Sequence, residues 1–100
     1  MDLILLFLSG ALLCNAIPHL ASGLRGDPFP SPFATPRGVG DSPPLANFFW
    51  GSANLFAGVA LMIARLPDAG LVSGLAAAAL GWLAIGIYIA RHFGTVRARS

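Results

Sequence analysis

The sequence predicts an all-α, polytopic integral membrane protein: three transmembrane helices, a Pro/Phe-rich interfacial loop between the first two, and a tight hairpin between the second and third. Three observations lead there. Asp, Glu, Lys and Arg supply only 10% of the 100 residues, whereas a water-soluble domain draws about a quarter of its residues from them. Lys and Glu are absent, and the hydrophobic share is 56%. The charges that remain, from Asp2 to Arg99, all fall outside three stretches, Leu3 to Leu24, Ser42 to Ala64 and Ala69 to Ala90. About 20 apolar residues at 1.5 Å each cross a hydrocarbon core of roughly 30 Å, so each stretch suffices for one helix. None alternates apolar with polar residues as a barrel strand would.

The first helix is predicted over about 3–22. A cleaved leader is not expected, because its start should be basic and here carries Asp2 with no Arg or Lys. Pro18 lies inside this helix and removes a backbone donor, so the helix should bend or end near His19. From Arg25 to Pro44 the chain holds six of its eight prolines and four charges, which no helix accommodates. Prolines 28, 30 and 32 favour extended backbone. Phe29 and Phe33 are then expected as anchors in a loop that lies on the headgroup region.

The second helix is predicted over about 45–64, introduced by Ser42 as N-cap and by prolines tolerated in a first turn. Arg65–Leu66–Pro67–Asp68 reads as a tight turn, which makes the second and third helices antiparallel neighbours. The third helix is expected over about 69–90, with 91–100 as a polar tail. Trp50 and Trp82 suit the aromatic belts found at membrane interfaces. Arg25, Arg37, Arg91, Arg97 and Arg99 fall on the side of the loop and tail, and only Arg65 on the other. This bias places the N-terminus outside and the C-terminus in the cytoplasm of a bacterial-type inner membrane.

Helices in lipid associate through small residues that let backbones approach closely. Gly70, Gly74 and Ala78 recur every four residues, with Gly81 on a neighbouring line, and these are expected to pack the third helix on the second. The residues costly to place in lipid are few. Asn15 and His19 share one face of the first helix. Asn47, Gly51, Asn54 and Gly58 form one stripe on the second. Both faces sit beside the loop, so Asn15, His19, Asn47 and Asn54 are expected to line a polar pocket, open beside Gly51 and roofed by a loop bearing Arg25 and Arg37. Such a pocket would bind a phosphate or carboxylate headgroup, or the amides would serve only as interhelical glue.

Other chemistry finds no support. Spread over four segments, the Arg residues make no nucleic-acid-binding patch. The lone Cys14 makes no intrachain disulfide, no zinc-type ligand spacing occurs, and no glycine loop opens a βαβ unit. His19 with His92 offers a conceivable bis-His pair, but no motif calls for a cofactor, a metal or a catalytic set. The expected role is therefore a small non-catalytic accessory or assembly subunit of a larger membrane complex. Its partners would be membrane lipids and other subunits or copies of itself. The alternatives are a homo-oligomeric transporter or pore with a polar face on the first two helices, and a protein that binds or acts on lipid headgroups at the cytoplasmic interface.

Overall fold

A computed structural model of the chain describes residues 1–99. It contains three long helices, α1 (Asp2–Arg25), α2 (Pro44–Ala69) and α3 (Leu71–Ala98), all long and apolar enough to cross a membrane. Between α1 and α2 the loop forms a two-residue antiparallel pair, β1 (Phe29–Pro30) with β2 (Asp41–Ser42), in which Phe29 faces Ser42 and Pro30 faces Asp41.

Helix α1 does not stop at Pro18. The proline withholds one donor from the Cys14 carbonyl, and the helix runs on to Arg25. It closes at Gly26, whose left-handed φ of 77° lets its N–H reach the Gly23 carbonyl while the Asp27 N–H reaches that of Ser22. That pair of bonds is a Schellman cap. Helix α2 begins with Pro44 in its first turn. Ser42 is not its cap: its hydroxyl is bonded to that of Ser31 at 2.6 Å.

The expected turn over 65–68 is helical, since Pro67 in a last turn costs the helix only one hydrogen bond. The chain reverses one step later, at Gly70, with φ 86° and ψ 148°. A side chain would be strained there. Nor is 91–98 a free tail. Helix α3 continues to Ala98 because the loop packs against it: the His92 Nε2–H donates to the Gly38 carbonyl at 2.7 Å, and the Phe93 and Phe29 rings lie 4.7 Å apart.

The packing order corrects the expected packing of α3 on α2. Helix α1 lies in the middle and packs against both neighbours, while α2 and α3 meet little beyond their hinge. The small residues of α3 serve α1. A Cβ on Gly81 would strike the Phe7 carbonyl, and one on Gly10 the carbonyl of Ala78. A Cβ on Gly74 would meet Leu66 of α2 as well as Leu6 of α1. On the other side, Cβ atoms on Gly51 and Gly58 would lie 2.8 Å from the side chains of Leu20 and Leu13. The reason is geometric: glycines on both faces of α1 and on both neighbours allow close approach only to the central helix.

Buried side chains are small or polar, including Ser9, His19, Ser22, Asn47 and Asn54, with Leu6 the one large apolar group fully enclosed among the described residues. Large apolar side chains such as Ile4, Phe56, Ile63 and Val72 cover the outside. This inverts the arrangement of a water-soluble domain.

Candidate functional site

The polar side chains of the core gather at the loop end. Asn47, fully buried on α2, donates through Nδ2 to the carbonyls of Phe29 at 2.9 Å and Ser42 at 3.2 Å. These acceptors fix which way the amide points, so its Oδ1 faces His19, whose Nδ1–H donates to it at 2.7 Å. Two turns further along α2, the Asn54 Nδ2 donates to the Trp50 carbonyl at 2.8 Å, and its Oδ1 accepts from the Asn15 Nδ2 at 3.1 Å. Both amides therefore have assigned orientations, and Asn15 Oδ1 is left as a spare acceptor.

Because α2 and α3 stand apart, a groove floored by α1 runs between them. At the loop end the groove becomes a partly open cavity of about 440 Å³. Its floor is Leu8, Leu12, Asn15 and His19, with Trp50 and Asn54 on the α2 wall and Ile85, Tyr88, Ile89, His92 and Phe93 on the α3 wall. Ser31, Pro32, Arg37 and Gly38 of the loop form the roof. The interior is mostly apolar, and its few polar groups converge at one end, the composition usual for small-molecule sites.

Of the residues expected here, Asn15, His19 and Asn54 line the cavity. Asn47 stands behind His19 and positions it. Arg37 borders the roof and is exposed, and it makes no ion pair among the described residues. Arg25 is elsewhere: it is exposed and paired with Asp27 at 3.1 Å. Gly51 opens nothing, being closed by Leu20. Phe29 is no outward anchor, since its ring packs edge-on to His19 at 5.5 Å and against Phe93. Phe33 does lie outside, edge-on to Trp50 at 5.3 Å. Trp50 is half-buried in the cavity wall, and Trp82 stays on the outer surface.

Sequence reasoning missed the contribution of α3. Reading 91–100 as a tail hides Phe93 and leaves His92 only as a conceivable partner of His19, while Tyr88, near the end of the expected third helix, goes unconnected with the pocket. The signal was present in Ile85, Ile89, Phe93 and Val96, whose spacings of four, four and three continue the helical stripe past Arg91.

Two observations bear on chemistry. The indole N–H of Trp50 is buried with no hydrogen-bond partner, which is uncommon for a donor removed from water. Among the described residues, no three His, Cys, Asp or Glu side chains come together as a metal site. The chain matches no protein-family model, no curated protein and no solved structure.

Proposed function

We propose that this chain is a non-catalytic, multi-pass protein of a bacterial-type plasma membrane that holds a small amphipathic molecule in the cavity between α1, α2, α3 and the loop. Bilayer placement is supported by the inverted surface, apolar outside and small or polar inside. The Arg bias supports a cytoplasmic loop and C-terminus, with the N-terminus outside.

One observation carries the binding role: a mostly apolar cavity whose polar groups, Asn15, His19 and His92 among them, converge at one end. An apolar body fits the Leu8, Leu12, Ile85 and Ile89 walls, and a polar head fits the loop end. Ala11 borders the same space, so Ala11→Phe should fill it. Protein extracted with its native lipid and sprayed intact into a mass spectrometer should carry a bound molecule in the wild type and lose it in Ala11→Phe. Identical spectra would remove the binding role.

A pore is disfavoured by Asn15 and Asn54, which are bonded to each other instead of facing a continuous path. An accessory-subunit role uses other surfaces. The cavity faces the loop end, whereas the outer faces of α2 and α3 are uncovered by this chain. A mild-detergent pull-down that returns defined partners would support that role alongside binding.

A further inference from the structure

We infer that the occupant carries a hydroxylated aromatic head, a lipid-soluble phenol or hydroquinone, whose hydroxyls donate to the free ring nitrogens of His19 and His92; this rests on the cavity being a binding site.

The argument is an inventory of donors and acceptors. His19 Nδ1 faces an amide oxygen and His92 Nε2 faces a backbone carbonyl, each at 2.7 Å. Neither oxygen can donate, so each of these nitrogens carries the proton. In the neutral rings this leaves a lone pair on His19 Nε2 and another on His92 Nδ1. Neither nitrogen has a hydrogen-bond partner among the described residues, and both residues line the cavity. Asn15 Oδ1 adds a third spare acceptor. The site is thus rich in acceptors, and it selects a ligand that donates.

A phenolic hydroxyl donates to an imidazole nitrogen, which suits a site of spare acceptors. The walls favour a flat ring, because the His19 ring stands edge-on to Trp50 and to Phe93, both at 6.4 Å, and His92 stands edge-on to Phe93 at 5.1 Å. A ring inserted among these meets the edge-to-face geometry aromatic groups prefer. An anionic head would instead bring its oxygens against two lone pairs, with only the exposed Arg37 to offset them.

The test uses the full chain in phosphatidylcholine nanodiscs, in a Trp82→Phe background so that fluorescence reports Trp50. Three probes are titrated: a decyl-substituted hydroquinone kept reduced, its dimethyl ether, and dodecyl phosphate. The hydroquinone should quench with an affinity about tenfold or more above that of the ether, since a site built around hydroxyl groups rejects an analogue lacking them. His92→Leu, which also gives up the bond to the Gly38 carbonyl, should weaken both probes but bring their affinities together, a loss of selectivity that loss of packing alone would not produce. Ala11→Phe should abolish binding of both.

Equal affinity for hydroquinone and ether, with Ala11→Phe still blocking both, overturns the hydroxyl assignment and leaves the cavity reading standing. Tighter binding of dodecyl phosphate overturns it in favour of an anionic head. A Soret band or a stoichiometric metal in the purified protein, lost in His92→Leu, overturns it in favour of ligation by the two lone pairs. If no probe binds and Ala11→Phe leaves the co-purified molecules unchanged, the cavity reading falls as well.

Discussion

Asn47 ties three pieces of chain together through one amide. Its Nδ2 serves carbonyls of β1 and β2, and its Oδ1 holds the His19 imidazole of α1. Replacing it by Ala removes the acceptor for a buried ring N–H and the donor for two loop carbonyls, and buried groups left unpaired cost about 1–3 kcal/mol. Asn15, by contrast, makes a single side-chain bond, to Asn54, and an interhelical bond of this kind averages about 0.6 kcal/mol. Thermal unfolding in detergent should therefore show a clearly larger drop in Tm for Asn47→Ala than for Asn15→Ala. Equal drops would mean that the loop is not held through this amide. Both asparagines stand out in the sequence as costly residues in an apolar chain. Their opposite roles, one bordering the cavity and one bracing its wall, depend on which carbonyls lie within 3.2 Å.

Glycine acts at the scale of the element. Gly10 on α1 meets the Ala78 backbone of α3 so closely that no side-chain movement makes room for a methyl group. The two helices would have to separate. Gly94, also helical, has nothing within 4 Å of the position its Cβ would take. The same substitution should then have opposite signs at the two sites. Gly10→Ala should destabilise by about 1–3 kcal/mol, as overpacking does. Gly94→Ala should stabilise by about 0.5–1 kcal/mol through helix propensity. Unfolding midpoints of the two variants in the same micelle check the contrast, and a stabilised Gly10→Ala would refute the close approach of α1 and α3. The small-residue lines were legible as packing surfaces. Which helix they meet was not, because Gly74, Ala78 and Gly81 fit any close neighbour equally well.

For the whole molecule, the proposed orientation follows from charge placement at the two ends. Asp2 and Arg65 are paired at one end, 3.4 Å apart, while the loop and the last turns of α3 occupy the other. With Cys14→Ala as background, Asp68→Cys and Arg97→Cys report the two ends separately. An impermeant maleimide should label Asp68→Cys on intact spheroplasts and Arg97→Cys only after lysis. The reverse pattern would invert the topology. A protein recovered from the aqueous fraction would contradict membrane placement altogether.

Three helices and the loop between the first two were determined by the sequence alone, since hydrocarbon-length stretches without charge leave few other folds, and clustered prolines exclude helix wherever they fall. Details at single residues escaped it. Pro67 reads as a breaker but sits where a helix loses only one bond, and the reversal falls on Gly70. Tertiary structure decided the order of packing, with α1 between its neighbours, and with it the cavity. Side chains on α1, α2 and α3 share that space only because α2 and α3 stay apart, a consequence of backbone-to-backbone fit that composition and periodicity do not encode.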